Sequence, residues 1–114
     1  MSCKVVITPT FSREARKLTK RYPSFPDDFE DFLKQIKNNP LLGVSLGHGL
    51  RKIRMAIASK GKGKRGGARI ISHVNIMLES RQNEVTLLTI YDKSYKENIN
   101  DNDILQLLGE AGIK

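Results

Sequence analysis

Three cations, Lys52, Arg54 and Arg69, alternate with apolar residues in the segments 50–57 and 68–78. Because successive side chains of a strand point to opposite faces, this period-two pattern predicts that the cations share one face while the apolar residues enter the core. Cationic groups gathered on one face attract polyanions, because bound phosphates release their counterions. The pattern therefore predicts an anionic partner.

The stretch from Phe32 to Leu78 extends this signal, because it contains no Asp or Glu. It holds ten cations: Lys34, Lys37, Arg51, Lys52, Arg54, Lys60, Lys62, Lys64, Arg65 and Arg69. The whole chain has 20 Lys and Arg against 12 Asp and Glu, which gives a formal net charge of +8. Since ordinary surfaces intersperse the two signs, the concentrated charge is typical of a nucleic-acid-binding face.

Other reactive residue types are few. Alternation in the strand-like segment after residue 84 places Thr89, Tyr91 and Lys93 together. His73 falls on the cationic face and can shuttle protons near neutral pH, although a lone strand histidine is more often structural. Cys3 is the only cysteine. With two histidines at no local metal-ligand spacing, we expect neither a disulfide nor a metal site.

The connection Gly61–Gly67 reads Gly-Lys-Gly-Lys-Arg-Gly-Gly. A nucleotide-binding P-loop needs its lysine followed by Ser or Thr at the start of a helix, and here a strand-like segment follows instead. Backbone amides and lysines can still steer a phosphate, while the alternative is a mobile, solvated hairpin loop. Besides the candidate catalytic residues, the candidate residues for binding RNA phosphates are Arg51, Lys60, Lys62, Lys64, Arg65 and His73.

Length and composition predict one soluble domain over residues 1–114. No apolar run approaches the roughly 20 residues that cross a bilayer. The apolar run near the N-terminus, Val5–Ile7, is shorter than the about 7 to 15 residues of a signal peptide. Together with the single cysteine, this predicts a protein of the cytoplasm without a membrane partner.

The periodicities predict an α+β domain of order β-α-α-β-β-β-α. We expect a helical hairpin, broken at Pro23–Pro26, to cover one face of a mainly antiparallel four-stranded sheet, and the other face to stay open. A glycine-rich loop is expected from Leu41 to Gly49, and a short helix ends the chain. The expected helix caps are Thr10 or Ser12, then Ser24, then Asn100 or Asp101.

The segments Leu50–Arg54, Gly63–Ile71 and Leu87–Ser94, taken in order, resemble those of the RelE/ParE toxin superfamily. The Tyr-Asp-Lys-Ser ending is nearest to HigB-like and RelE-like mRNA interferases. The order of elements also agrees along nearly the whole chain. The resemblance implies a RelE-like fold and a toxin of a type II toxin–antitoxin system, partnered by an antitoxin, the ribosome and mRNA, without a cofactor.

The resemblance further implies a metal-independent endoribonuclease, in which an RNA 2′-hydroxyl attacks the adjacent phosphate and leaves a cyclic phosphate. Arg54 and Arg69 would then hold the phosphate, and Lys52 would assist or perturb proton transfer. Tyr91 would stack on a base or donate a proton, and Lys93 takes the place of a late basic residue. Relatives carry a histidine near this strand, and its absence here leaves the general base open.

Two other functions fit the same sequence. A ParE-like poison of DNA gyrase would share the fold and the antitoxin but not the phosphate-cutting residues, so Arg54, Arg69 and Lys93 count against it. A plain nucleic-acid-binding module needs only the basic face. Such modules usually interleave aromatic residues with the cations, whereas aromatic residues make up 6% of this chain.

Overall fold

The computed structural model of the chain describes residues 3–61, 63–77, 82–94 and 99–113. Its elements are strand β1 (Cys3–Ile7), helix α1 (Pro9–Arg21), helix α2 (Phe25–Asn38), strand β2 (Val44–Gly47), strand β3 (Leu50–Met55), a 3-10 turn (Ala58–Lys60), the one-turn helix α3 (Gly63–Gly66), strand β4 (Ala68–Met77), strand β5 (Gln82–Asp92) and helix α4 (Asp101–Glu110). The predicted α+β class is confirmed. No helix within the described ranges is both long and apolar enough to cross a membrane.

The strands form one sheet in the order β1-β5-β4-β3-β2. Strand β1 runs parallel to β5, and the other neighbouring pairs are antiparallel. The predicted number of four strands is corrected to five, because β2 forms inside the segment that we expected to be a glycine-rich loop. The sheet is therefore mainly antiparallel, as predicted, with one more edge strand.

Backbone conformations of positive φ explain the extra strand. His48 and Gly49 connect β2 to β3 with φ of 53° and 80°. Positive φ at both central residues is the type I′ turn, whose twist matches that of paired strands. Before β2, Gly43 has a φ of 88°, and a Cβ atom there would lie 2.3 Å from the carbonyl oxygen of Lys52. The glycines thus allow a tight hairpin where composition indicated a loop.

The helical hairpin begins before either of its predicted caps. Thr8, rather than Thr10 or Ser12, caps α1, and its hydroxyl accepts a hydrogen bond from the amide of Phe11 at 3.1 Å. Pro9 then occupies the first helical position, where a missing amide hydrogen costs nothing. Helices α1 and α2 pack on one face of the sheet, as predicted. The buried residues of this core include Phe11, Leu18, Phe25, Phe32, Ile36, Ile53, Met55, Ile70, Val85, Leu87 and Ile90.

Helix α4 packs on the opposite face of the sheet, where its Ile104 joins a second apolar cluster with Leu50, Ile71 and Leu88. Of the two predicted caps, Asn100 is the one used, and its side chain accepts from the amide of Asp103 at 2.8 Å. The expectation that this face stays open is therefore wrong for the part beneath α4. A cleft remains beside it, towards the end of the sheet where β3 finishes and β4 begins.

Candidate functional site

The cleft lies between the β2–β3 hairpin and the adjoining ends of β4 and β5, and has a volume of about 810 Å³. Four of the five residues predicted to be catalytic line it: Lys52, Arg54, Arg69 and Lys93. Its other walls are mainly uncharged residues of the β2 segment, such as Leu42 and Val44. The structure thus gathers cations from three strand ends around one open space.

Arg54 and Arg69 lie directly opposite each other on the β3–β4 pair. Facing side chains of this kind have Cβ atoms about 5 Å apart, and like charges at that distance repel. Arg54 is exposed, whereas Arg69 is only 4% exposed. Burial lowers the pKa of the Arg69 guanidinium, and the charge of Arg54 lowers it further. An anion bound between the two side chains would relieve this repulsion.

Arg69 is also the cross-strand partner of Tyr91 on β5. The arginine pair and the tyrosine therefore form one row across three strands. Burial raises the pKa of the Tyr91 phenol, and Arg69 opposes that rise more weakly. The phenol is consequently protonated at neutral pH and can donate a proton. Tyr91 lies beside the cleft, with its ring packed against the apolar cluster beneath α4.

A bulge in β5 turns Tyr91 to this side. The register of β4 and β5 shifts between Ile71 and Ser72, so that Ile71 faces Thr89 while Ser72 faces Leu87. Leu88 is the extra residue, and it joins the α4 cluster. Strict alternation from Leu87 would place Tyr91 on the face covered by α1 and α2. The inserted residue places it on the opposite face instead. The shared face of Thr89, Tyr91 and Arg69 thus depends on an irregularity that the alternating pattern does not reveal.

Lys52 and Lys93 complete the cleft, and both are half-buried. Lys52 lies opposite Ile71, next to the row that contains the arginine pair. Lys93 follows the end of β5, and its backbone amide donates to the carbonyl of Gly67 at 3.2 Å. That hydrogen bond ties the turn after β5 to the residues that lead into β4. The two lysines therefore reach the cleft from different sides of the arginine pair.

Asp92 lies between Tyr91 and Lys93 in sequence but faces away from the cleft, towards α1. Its carboxylate accepts from the ammonium of Lys60 at 2.6 Å, from the backbone amide of Ser94 at 2.8 Å and from the hydroxyl of Tyr22. Burial alone would raise the pKa of Asp92, but the hydrogen bonds from Lys60, Tyr22 and Ser94 outweigh it and bring the value to about 2. Asp92 is therefore ionised across the physiological range.

Of the secondary candidates, Arg51, Lys60 and His73 are described, and none of these three lines the cleft. The Lys60 side chain is only 6% exposed and is engaged by Asp92, so we remove it from the phosphate-binding set. Arg51 donates to the carbonyls of Leu42 and Gly43 at 3.0 and 2.8 Å, and so fixes the approach to β2. Lys62 and the side chains of Lys64 and Arg65 lie outside the described residues.

His73 shares a sheet face with the arginine pair but lies opposite Leu50, beyond the cleft. It lines two other depressions, on either side of the C-terminal end of α4. Burial lowers the pKa of its imidazole, and Glu84 opposes this more weakly. Among the described residues, no group of three or more His, Cys, Asp and Glu side chains is arranged to hold a metal ion.

Solved structures match this chain, whereas no protein-family model matches the sequence. A double arginine-to-alanine mutant of the E. coli toxin RelE, in the free state, superposes with a TM-score of 0.55. The match covers 85% of this chain and 90% of that one, at 14% sequence identity. The chain has the RelE-like fold. The resemblance inferred from the sequence is thus confirmed at the level of the fold.

Within this RelE-like fold, sequence reasoning missed the surroundings of Asp92. One local signal was available, because an Asp followed two residues later by an amide donor often forms an Asx turn, as Asp92 and Ser94 do. The other donors, Tyr22 and Lys60, are 70 and 32 residues away in the chain. No periodicity could have related them.

Proposed function

We propose that this protein is the toxin of a type II toxin–antitoxin system, and that it acts as a metal-independent endoribonuclease on ribosome-bound mRNA. The observation that carries the proposal is the arginine pair, Arg54 and Arg69, facing each other at a cleft that Lys52 and Lys93 also line. The RelE-like fold supports it, because the structural match is itself named as a toxin. A catalytic site of cations suits chemistry at a phosphate.

The reaction that this site would promote is an internal transesterification. The 2′-oxygen of a ribose forms a bond to the adjacent phosphorus while the bond from phosphorus to the 5′-oxygen breaks, which leaves a cyclic phosphate and a free 5′-hydroxyl. Negative charge grows on the non-bridging oxygens in the transition state. Arg54 and Arg69, with about five N–H donors each, can bind those oxygens, and one such preplaced donor contributes roughly 3 to 4 kcal/mol in comparable oxyanion sites.

Two protons must also move, since the 2′-hydroxyl loses one and the 5′-oxygen gains one. Tyr91 is the proposed donor to the 5′-oxygen, because burial keeps its phenol protonated and it lies next to Arg69 in the same row. Lys52 and Lys93 flank the arginine pair, and replacing each in turn reveals which one accepts the 2′ proton. The lysine that accepts this proton is the one whose replacement by alanine abolishes the increase of the cutting rate with pH.

The proposed partners follow from charge. A net charge of +8 favours association with the anionic RNA of a translating ribosome, and an antitoxin that covers the cleft would carry complementary acidic residues. We accordingly place the protein in the cytoplasm, where ribosomes translate. A short neighbouring gene that encodes an acidic protein would agree with this assignment.

The test adds the purified protein to a reconstituted translation reaction and maps the ends of the message by primer extension. The wild-type chain should cut the message, whereas Arg69→Ala should reduce cutting about 100- to 1,000-fold. Arg16→Ala is the matched control, because Arg16 is an exposed cation on α1 and lies away from the cleft. It should cut at the wild-type rate.

Each other outcome has a distinct meaning. An intact message with the wild-type protein overturns the ribonuclease proposal. Inhibition of DNA gyrase in a parallel supercoiling assay would then support a gyrase poison. Salt-sensitive RNA binding without cleavage or gyrase inhibition would support a plain nucleic-acid-binding module.

A further inference from the structure

The carboxylate of Asp92 collects more polar partners than any mechanism at the cleft requires of it. Its Oδ1 accepts from Lys60 at 2.6 Å and from the Ser94 amide at 2.8 Å, while its Oδ2 accepts from the Tyr22 hydroxyl and lies 3.9 Å from an Arg21 nitrogen. The whole residue is 5% exposed. Because these partners surround the buried carboxylate, they fix the position of Asp92.

The partners come from three separate parts of the chain. Tyr22 and Arg21 lie at the end of α1, Lys60 lies in the connection that follows β3, and Ser94 lies in the turn after β5. Lys60 also donates to the Ser94 hydroxyl at 2.9 Å, which closes the group. One carboxylate therefore joins the helix, the connection and the turn at a single point behind the cleft.

The residues on either side of Asp92 have the candidate catalytic roles. Tyr91 faces the row of Arg69, and Lys93 lines the cleft. The turn has a second attachment, because the Lys93 amide donates to Gly67. Gly67 lies close against the end of β3, since a Cβ atom there would lie 2.0 Å from the carbonyl oxygen of Met55. The turn is thus held between a tightly packed strand on one side and the Asp92 carboxylate on the other.

We propose that Asp92 is a positioning residue, which sets the location of Lys93 in the cleft by anchoring the turn behind it to α1 and to Lys60. Asp92 does not touch the RNA in this proposal, and acts through Lys93. The catalytic part rests on the proposed ribonuclease function, whereas the anchoring of the turn can be measured without it. Catalytic groups need such support, because misplacement by about 1 Å can cost about 100-fold in rate.

The central variant is Asp92→Asn, which keeps the size of the side chain and removes its charge. We expect the maximal cutting rate at saturating protein to fall about 10- to 100-fold, while the half-saturating concentration changes by less than about two-fold. Asp31→Asn is the matched control, because Asp31 is an exposed acid on α2. It makes the same change of charge and should leave both quantities unchanged.

A double-mutant cycle with Lys93→Ala separates positioning from general loss of structure. If Asp92 acts through Lys93, then Asp92→Asn should lower the rate by less than about two-fold once Lys93 is already alanine. If the double mutant instead loses rate by the product of the two single-mutant factors, the proposal is overturned. Tyr22→Phe removes only one hydroxyl group and serves if Asp92→Asn does not fold. Its loss of rate should be smaller and should also vanish in the Lys93→Ala background.

Amide hydrogen exchange gives a readout that does not depend on cleavage. In Asp92→Asn, the Lys93 amide should exchange at least about 10-fold faster, while amides of the β1–β5 pair should keep their protection. Unchanged protection of Lys93 would overturn the positioning role even if the enzyme is active. If the wild-type protein cuts no message, the ribonuclease proposal fails, and the exchange data still decide whether Asp92 anchors the turn.

Discussion

Two buried charges lie at the same end of the sheet, and their surroundings are opposite. Asp92, 5% exposed, accepts hydrogen bonds from Lys60, Tyr22 and the Ser94 amide, and its pKa falls to about 2. Arg69, 4% exposed, faces a second arginine, and its pKa is lowered by burial and by Arg54. The first arrangement stabilises the fold. The second arrangement destabilises the charged form of Arg69, as expected of a site that is stabilised when an anion binds.

The largest expected effect comes from removing the destabilised charge. Arg69→Met keeps the aliphatic length and should reduce cutting about 100- to 1,000-fold. Its free energy of unfolding should stay within about 1 kcal/mol of the wild type or rise, because a buried charge is replaced by an apolar side chain. Primer extension and urea denaturation measure the two quantities. A large loss of stability together with the loss of cutting would remove the contrast with Asp92.

Removing the partner of the stabilised charge should give the reverse result. Lys60→Met leaves the buried Asp92 carboxylate without its closest cation and should lower the free energy of unfolding by about 3 kcal/mol. Adding Asp92→Leu to Lys60→Met should restore most of that loss. Lys34→Met, an exposed lysine of α2, is the control for urea denaturation. An effect of Lys60→Met no larger than that of Lys34→Met would contradict a stabilising role for this ion pair.

The same carboxylate predicts a dependence on pH. The pKa of Asp92 is lowered from its ordinary 3.8 to about 2 on folding, so the carboxylate stabilises the fold above about pH 4. That contribution, about 2 kcal/mol at roughly 1.4 kcal/mol per pKa unit, is lost as the pH falls from 4 towards 2. The groups that face it are Lys60, Tyr22 and Arg21. In urea titrations, Asp92→Asn should reduce the fall in the free energy of unfolding between pH 4 and pH 2. An unchanged fall would mean that other carboxylates cause it.

The smallest effect concerns the repulsion between the two arginines. Arg54→Gln relieves a facing pair of like charges and should raise the free energy of unfolding by about 0.2 to 1 kcal/mol. It should at the same time weaken RNA binding and reduce the salt dependence of that binding by about one phosphate contact. Thermal melts and binding isotherms at several salt concentrations measure both. A loss of stability in Arg54→Gln would indicate that the pair is not under repulsion.

The sequence predicted the cationic face that contains Arg69, but it did not predict the hydrogen-bond partners of Asp92. Strand alternation was enough to place Lys52, Arg54 and Arg69 on one face, because burial of Ile53, Met55 and Ile70 enforces period two. The partners of Asp92 escaped prediction because they come from distant segments. Long-range polar contacts follow from tertiary packing, which leaves no local pattern in the chain.

Three errors have similar causes. Strand β2 was missed because its turn depends on the positive φ of His48 and Gly49, which composition alone does not distinguish from a loop. The bulge at Leu88 was invisible because inserting one residue in a uniformly apolar strand changes no periodicity. The covered second face was missed because the apolar side of α4 is short, and only the sheet shows where it packs.

The most direct test of the central claim uses a message with one 2′-deoxynucleotide immediately before the mapped cleavage point. If the cationic cleft promotes attack by the 2′-hydroxyl, cutting should stop at that point and continue at unmodified control sites. The products of the unmodified message should end in a cyclic phosphate and a 5′-hydroxyl. Cutting that continues at the 2′-deoxy position would contradict the proposed chemistry of Arg54 and Arg69.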